Sequence, residues 1–188
     1  MRKLTVFNQV TLDGRFTDAK GDMSWAHKPS DDVEWNTFVA ENAGSGGTLL
    51  LGRVTYEMMA SYWPTPAAMK NAPDVARHIN DLQKYVASRT LKEASWKNTK
   101  VLAGDLVSEV RALKQAPGSD MTILGSGSIV SQLAQAGLID EFHLVLNPVA
   151  LGNGRTIFDG VKGPMELRRT AMRPFANGNV VLTYASGA

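Results

Sequence analysis

The sequence predicts an α/β fold: a three-layer α/β/α sandwich with a mostly parallel central sheet and antiparallel C-terminal strands. Over the first two thirds of the chain, short apolar runs alternate with helical segments, which is typical of parallel βαβ units. Over the last third, strand-like segments follow one another directly, and Asn177-Gly178 marks a hairpin turn between the last two. At 188 residues, we expect one domain over residues 1–188.

The first strand is predicted from Leu4 to Val10, because apolar and β-compatible residues alternate there before Asp13-Gly14 breaks the pattern. From Arg15 to Ser30 there is little periodicity, and a loop of this length in a compact domain is typical of a functional lid. A helix follows, with Asp31 predicted as its N-cap and Glu34 at the third position of a capping box.

The segment Gly44-Ser45-Gly46-Gly47 is predicted to end that helix and to lead into the strand Thr48-Leu49-Leu50-Leu51-Gly52. A second helix is expected from Arg53, since no breaker occurs before Met59. This arrangement places an arginine and the positive end of a helix at one edge of a sheet, where an anionic ligand would bind.

The rest of the chain continues the alternation after a break at Trp63-Pro64-Thr65-Pro66. Helices are predicted over Asp74–Leu82, Asp105–Gln115 and Ile129–Ala136, the last followed by Gly137 as a C-terminal cap. Strands are predicted over Lys84–Ala87, Lys100–Leu102, Met121–Leu124, Glu141–Val149 and Val180–Tyr184, with a mixed pattern over Leu167–Phe175.

Composition excludes several classes of function. The formal net charge of +2 is too small to indicate a nucleic acid or an anionic membrane as partner. The chain has no cysteine, which excludes thiol catalysis, and its three histidines lack metal-ligand spacing, so we predict no metal site. No apolar run reaches the roughly 20 residues that span a membrane. The chain opens directly on a strand-like run, so we expect a cytoplasmic protein without a signal peptide.

Three segments that follow predicted strands fit one anionic ligand: Gly52-Arg53-Val54-Thr55, Ser88-Arg89-Thr90 and Gly125-Ser126-Gly127-Ser128. Parallel strands bind ligands at their carboxyl ends. In the third segment, glycines allow the backbone to approach closely, and the following helix offers unpaired N–H groups to a diphosphate. Taken alone, that segment is equally well an N-cap serine with turn glycines, and Arg53 or Arg89 is more simply a surface residue. Together the three favour a phosphate-rich cofactor.

The complete Gly-x-Gly-x-x-Gly fingerprint does not follow the first strand, which disfavours an ordinary Rossmann site, and no Walker loop is present. Asp13 and Asp32 are the acidic candidates. Asp13 equally suits a turn former, and Asp32 equally suits a first helical turn stabilised by the helix dipole. Trp25, Trp35 and Tyr62 would line a flat pocket for a heteroaromatic ring, although Trp35 also suits a core.

These motifs, in their order and spacing over nearly the whole chain, resemble the dihydrofolate-reductase-like superfamily, in particular the branch related to the reductase domain of bacterial riboflavin biosynthesis. The residues that carry the resemblance are Thr11-Leu12-Asp13-Gly14, Leu50–Glu57, Ser88-Arg89-Thr90, Ile123–Ser128, Gly137–Glu141 and Pro148–Gly154. The resemblance implies a three-layer α/β fold, NADPH as hydride donor and a homodimer. Its riboflavin-pathway member has 5-amino-6-(5-phosphoribosylamino)uracil reductase activity.

By position, the resemblance also assigns roles. It implies that Asp32 is the substrate-binding acid of the first helix and that the Arg15–Ser30 loop is a mobile lid. Asp13, Trp25, Trp35 and Tyr62 are then candidates for substrate binding. The cofactor contacts it implies are Val10 and Thr11 beside the nicotinamide, Gly52, Arg53 and Thr55 at the phosphates, Ser88 and Arg89 near the adenosine, and Gly125, Ser126, Gly127, Ser128 and Ile129 at the diphosphate.

Two hypotheses of different class follow. The first is an NADPH-dependent reductase that transfers a hydride to a small heterocyclic or carbonyl substrate, with a proton from Asp32 or from water beside it. The second is a nucleotide-binding regulatory or assembly module without turnover. The sequence does not identify the substrate, because the substrate pocket would be built from the Arg15–Ser30 loop and the Tyr62–Asn71 segment, which have the least interpretable patterns.

Overall fold

The computed structural model describes residues 1–27, 31–44 and 47–187. The strands are β1 Leu4–Thr11, β2 Thr48–Gly52, β3 Gln83–Ala87, β4 Thr99–Leu102, β5 Met121–Leu124, β6 Glu141–Asn147, β7 Leu167–Pro174 and β8 Val180–Ser186. The helices are α1 Val33–Gly44, α2 Arg53–Tyr62, α3 Pro66–Asn71, α4 Pro73–Asp81, α5 Leu106–Gln115 and α6 Gly127–Gln135, with a 3₁₀ turn at Ser24–Ala26.

All eight strands form one sheet in the order β4-β3-β2-β5-β1-β6-β8-β7. Neighbouring strands from β4 to β6 are parallel, whereas β8 pairs antiparallel with β6 and with β7. The turn at Asn177-Gly178 closes the β7–β8 hairpin, with Gly178 at φ +86°. The predicted mostly parallel sheet with antiparallel C-terminal strands is therefore confirmed.

Two layers of helices cover the sheet, because each helix buries one apolar stripe against it. Helices α5 and α6 pack over a core that includes Leu4, Val6, Leu50 and Ile123. The opposite face carries α2 and α4 over Leu49, Leu51 and Val86, and α1 over Val145 and Phe175. The three-layer α/β/α arrangement follows from this division.

Most predicted elements are present, with two corrections. Helix α3 was not predicted, although Thr65 accepts a hydrogen bond from the Ala68 N–H and Pro66 occupies the first helical turn. The N-cap of α1 is Asp32 rather than Asp31, since the Trp35 N–H donates to Asp32 Oδ1 at 3.0 Å. Of the predicted lid and helix break, residues 28–30 and 45–46 lie outside the described residues. Within the described chain, no helix is long and apolar enough to cross a membrane.

Candidate functional site

The sheet opens at one point along β1. Strand β1 pairs with β5 only from Leu4 to Phe7, which lies opposite Leu124, but it pairs with β6 as far as Thr11. Beyond Phe7, no strand of the described residues pairs with the edge of β1 that faces β5. The connections that follow these two adjacent strands also leave the sheet on opposite faces. Strand β1 is followed by α1 in one helix layer, and β5 is followed by α6 in the other. Such switch points are where open α/β sheets bind ligands.

A cavity of about 760 Å³ occupies this opening and extends over the carboxyl ends of β2 and β3. It contains all three predicted anion-binding segments. Its lining also includes a strand segment and a loop segment that were not predicted. The residues that line the cavity include Phe7, Asn8, Gln9, Phe16, Thr17, Met23, Gly52, Arg53, Thr55, Met58, Ser88, Arg89, Gly125, Ser126, Gly127, Ser128, Ile129 and Arg155.

Ser126 joins two of the predicted segments. Its hydroxyl oxygen accepts a hydrogen bond from the Gly52 N–H at 2.7 Å and lies 2.9 Å from the Thr55 hydroxyl. Ser126 is also in the left-handed region, at φ +62°, which costs free energy for a residue with a side chain. The hydrogen bonds of its side chain therefore hold the turn before α6 against the start of α2.

Both helices begin at the cavity without a side-chain cap. Gly52, the N-cap of α2, has no side chain to bond a helical N–H, and the side chain of Ser126, the N-cap of α6, bonds none. By contrast, Asp105 caps α5 through the Ser108 N–H. Uncapped N-termini leave N–H groups and the positive dipole ends available to an anion.

Glycine is required where these two turns meet. A Cβ on Gly52 would lie 2.9 Å from Ser126 Oγ, and one on Gly125 would lie 3.2 Å from Thr55 Oγ1. Gly125 also has φ +59°, a conformation that favours glycine. These two glycines therefore allow the backbone of the turn before α6 to lie close to the start of α2.

Three arginines line the cavity. Arg53 is paired with Glu57, at 2.9 Å from Arg53 Nη1 to Glu57 Oε2. Arg89 and Arg155 form no salt bridge with any residue in the described ranges. The lining residues of the described chain include no acidic side chain. The cavity is therefore electropositive.

Ser88 lies at the wall of the cavity, but its hydroxyl serves the local turn. Ser88 Oγ accepts hydrogen bonds from the Leu91 N–H at 2.9 Å and from the Thr90 N–H at 3.2 Å. This turn fixes the loop that carries Arg89 after β3.

The loop that follows β1 closes the other side of the cavity. The Phe16 ring packs on Gly127, where a Cβ would lie 2.7 Å from Phe16 Cε1. The Arg155 guanidinium lies over the Phe16 ring, 5.6 Å from the ring centroid, and Arg155 Nε donates to Thr17 Oγ1 at 3.4 Å. Main-chain hydrogen bonds also join Phe16 and Thr17 to Arg155. The start of the predicted lid is therefore fastened to the segment before Ile157.

The structure does not bring Val10 and Thr11 into the cavity lining; the residues of β1 that line it are Phe7, Asn8 and Gln9. Val10 is buried in the core, and the Thr11 hydroxyl donates to Asp13 Oδ1 at 2.6 Å. They lie outside the lining because β1 leaves β5 at Phe7, so the opening begins before these two residues; their contact with a nicotinamide stays a prediction.

Asp13 is likewise outside the cavity lining and has a structural position. Its carboxylate accepts hydrogen bonds from the Thr11 hydroxyl and from the Leu151 and Gly152 N–H groups. These bonds, the Thr11 bond first, lower the pKa of Asp13 to about 2. Asp13 therefore fastens the turn at 151–152 to the end of β1, and its role in substrate binding stays a prediction.

Asp32 also differs from its predicted role. Its Oδ1 caps α1, and its Oδ2 accepts a hydrogen bond from Asn177 Nδ2 at 2.6 Å. Both carboxylate oxygens are thus engaged by the protein, and Asp32 does not line the cavity. The geometry supports a helix cap that holds the β7–β8 turn.

The predicted aromatic residues do not line the cavity either. Trp35 is buried in a core cluster, with its ring edge-on to Phe175 at 5.1 Å between centroids. Tyr62 packs against Trp63 at the C-terminal end of α2. Trp25 lies in the 3₁₀ turn beside Met23, which does reach the cavity. Burial of an apolar ring in the core accounts for the difference at Trp35.

Two groups of lining residues were missed by sequence reasoning. Asn8-Gln9 is a polar pair inside an otherwise apolar strand, and that interruption was an available signal. Phe16 and Arg155 had no local signal, because their proximity depends on a bridge between segments nearly 140 residues apart.

Comparisons with known proteins agree with this architecture. The uncharacterized protein YyaP of Bacillus subtilis (strain 168) is 29% identical over 184 residues, covering 97% of this chain and 94% of that protein. A putative riboflavin biosynthesis protein from Shewanella sp. PV-4 has a similar fold, with a TM-score of 0.77, 21% identity and 99% of each chain covered. Dihydrofolate reductase from Enterococcus faecalis, in a complex with NADP(H), gives a TM-score of 0.64 at 19% identity over 99% of this chain and 97% of that one.

The neighbours confirm the dihydrofolate-reductase-like fold that the sequence motifs predicted. The family model of the RibD C-terminal domain matches residues 2–181, almost the whole chain. This protein belongs to the RibD C-terminal domain family.

Proposed function

We propose that the protein is an NADPH-dependent reductase of a small heterocyclic or carbonyl compound. The observation that carries this proposal is the pair of uncapped helix N-termini, of α2 and α6, joined through Ser126 in an electropositive cavity. Such an arrangement suits a diphosphate flanked by further phosphate. Family membership and the NADP(H) complex of the Enterococcus faecalis neighbour support the choice of nucleotide.

The residues present fit this cofactor. The glycines at 52 and 125 let the turn before α6 pack against the start of α2, and Gly127 and Ser128 open α6 with main-chain N–H groups for a diphosphate. Arg53 and Arg89, at the ends of β2 and β3, would hold the 2′-phosphate through charge-assisted hydrogen bonds. When bound, NADPH supplies a hydride.

The opening between β1 and β5 would receive the nicotinamide and the substrate. Phe16, Met23 and Met58 provide its apolar walls and would exclude water from the reacting atoms. The described lining residues carry no side chain that titrates near neutral pH, so the proton would come from water held in the cavity rather than from Asp32.

Nucleotide binding tests the cofactor assignment. We expect saturable binding of NADPH and much weaker binding of NADH, measured by calorimetry. An Arg89→Met substitution should weaken NADPH binding about tenfold, as expected for loss of a charged hydrogen bond, while binding of NADH changes little. Equal affinity of the wild-type protein for the two nucleotides would remove the basis of the assignment.

A second function, nucleotide binding without turnover, is favoured by one observation: both oxygens of Asp32, the predicted catalytic acid, already have protein partners. The two functions differ in NADPH oxidation. A panel of pterins, pyrimidines (including 5-amino-6-(5-phosphoribosylamino)uracil), flavins and carbonyl compounds distinguishes them. Tight NADPH binding with no oxidation across the panel would support the regulatory or assembly role.

A further inference from the structure

A buried amide, Asn147, determines how the side chain of Gln9 faces the cavity. Asn147 is fully buried at the end of β6. Its Nδ2 lies 3.1 Å from the Val145 carbonyl oxygen, 3.3 Å from the Val10 carbonyl oxygen and 2.8 Å from Gln9 Oε1. Main-chain carbonyl oxygens only accept hydrogen bonds.

This arrangement fixes the orientation of both amides. With the Asn147 amide reversed, its oxygen would face the two carbonyl oxygens of Val10 and Val145, which is repulsive. Nδ2 must therefore face them, and the atom of Gln9 that Nδ2 contacts must be the oxygen. The Nε2 of Gln9 is then the free end of the side chain, and no described residue accepts a hydrogen bond from it.

Gln9 lines the cavity where β1 has separated from β5. Phe7 and Met23, which line the same cavity, have no nitrogen or oxygen atom in their side chains. A donor held in place by a buried partner loses little conformational entropy when it binds a ligand. The cavity therefore holds a preorganised N–H donor at Gln9.

We infer that Gln9 binds the ring of the ligand, donating from Nε2 to an uncharged acceptor such as a carbonyl oxygen, and that Asn147 is its positioning residue. Two sources of this acceptor are the carboxamide of the nicotinamide and a ring carbonyl of the substrate. The inference deepens the proposed function and rests on it for the identity of the nucleotide.

Gln9→Glu is the sharpest variant. It keeps an oxygen for Asn147 and the size of the side chain, but it replaces the donor that faces the cavity by an acceptor. Gln9→Leu removes both. Gln115→Glu, at the exposed end of α5 and away from the cavity, is the matched control. The probes are NADPH, 2′,5′-ADP, which lacks the nicotinamide, and uracil in the presence of NADP⁺, all measured by calorimetry.

If the acceptor belongs to the nicotinamide, Gln9→Leu should weaken NADPH binding about 3- to 10-fold and Gln9→Glu more than about tenfold. Binding of 2′,5′-ADP should not change. If the acceptor belongs to the substrate, NADPH binding is unchanged and uracil binding is weakened by the same factors. Either result supports the inference. The inference is overturned if the Gln9 variants leave NADPH binding unchanged and uracil either does not bind or binds equally well to the wild-type protein and the variants. It is also overturned if the variants lose as much affinity for 2′,5′-ADP as for NADPH.

The test of Asn147 uses the same selectivity. Asn147→Ala frees the Gln9 amide to rotate, so NADPH or uracil affinity should fall while 2′,5′-ADP affinity is retained; a merely structural role would not produce this split. Failure of the wild-type protein to bind 2′,5′-ADP and NADPH would contradict the proposed function. In that case uracil binding that does not depend on Gln9 also overturns the inference.

Discussion

Arg53 Nη1 lies 2.9 Å and 3.0 Å from the two carboxylate oxygens of Glu57, one turn further along α2. The side chains of both residues are about half exposed, so their attraction is screened by water and salt. Because Arg53 stands at the cavity wall and Glu57 does not, Glu57 competes with any anion that Arg53 would bind.

The first prediction follows from this competition. Glu57→Gln should raise the affinity for 2′,5′-ADP about 2- to 5-fold at low ionic strength, and the gain should fall as salt is added. Titration calorimetry at two salt concentrations measures it. Asp74→Asn, in the exposed Arg77–Asp74 pair outside the cavity lining, is the control. Weaker binding by the Glu57 variant would instead show that Glu57 positions Arg53 for the ligand.

Gly154 should be intolerant of any side chain. A Cβ there would lie 2.1 Å from the Thr17 carbonyl oxygen, and φ is +116°. Gly154→Ala should therefore destabilise the protein by about 2–4 kcal/mol, as measured by urea denaturation. Gly163→Ala, where a Cβ meets no atom within 4 Å, is the control. Equal stability of the two variants would show that the 17–155 bridge does not contribute to the folded state.

Asp13 makes stability depend on pH in acid. Hydrogen bonds, that from Thr11 first, hold its folded pKa at about 2, below the usual 3.8. The unfolded chain thus takes up the proton first, and stability is lost as the pH falls from about 4 towards 2. Asp13→Asn should reduce this acid dependence in thermal denaturation and leave 2′,5′-ADP binding unchanged. A loss of nucleotide or substrate affinity without a change in Tm would restore its predicted role in binding.

Lys84 makes the stability of the folded protein depend on pH in the alkaline range. It is fully buried, and its Nζ donates to the carbonyl oxygens of Asn80 and Leu82. Burial lowers its pKa from 10.5 to about 8. Between these values the unfolded chain holds a proton that the folded protein has released, so the Lys84 contribution makes stability rise with pH, by at most about 1.4 kcal/mol per pH unit.

Lys84→Met should remove this contribution. The measurement is urea denaturation at about pH 7, 8.5 and 10 for both proteins, so that other titrating groups cancel in the difference. Parallel pH profiles for the wild-type protein and the variant would contradict the assignment to Lys84.

Asp32→Asn separates a helix cap from a catalytic acid. Asparagine caps helices about as well as aspartate but keeps only one acceptor oxygen, so loss of the bond from Asn177 should cost about 1 kcal/mol, whereas Asp32→Ala loses the cap as well and should cost about 2 kcal/mol. For any compound in the panel that the wild-type protein reduces, Asp32→Asn should leave the rate within about twofold. A rate loss of about 100-fold or more at unchanged NADPH affinity would identify Asp32 as the proton donor.

Local patterns were sufficient for most of the fold. The apolar run of β2 and the start of α5 at Asp105 depend on a few neighbouring residues, so they can be read from the sequence. The N-cap of α1 was misplaced by one residue because Asp31 and Asp32 are both competent caps. Helix α3 was missed although Thr65 and Pro66 are a start signal, since a helix of only six residues has almost no periodicity to detect.

The sequence by itself determined the α/β class, the family and the three segments that meet at one edge of the sheet, because strand-end glycines and arginines are local features and parallel strands bring their carboxyl ends together. Only the tertiary structure decided which residues enclose the cavity. Two contacts shape the opening between β1 and β5: the Phe16 ring packs on Gly127, and Asn147 donates a hydrogen bond to Gln9. Each contact joins segments that are more than 100 residues apart in the sequence. Such contacts form only when the chain folds, so no local sequence pattern predicts them.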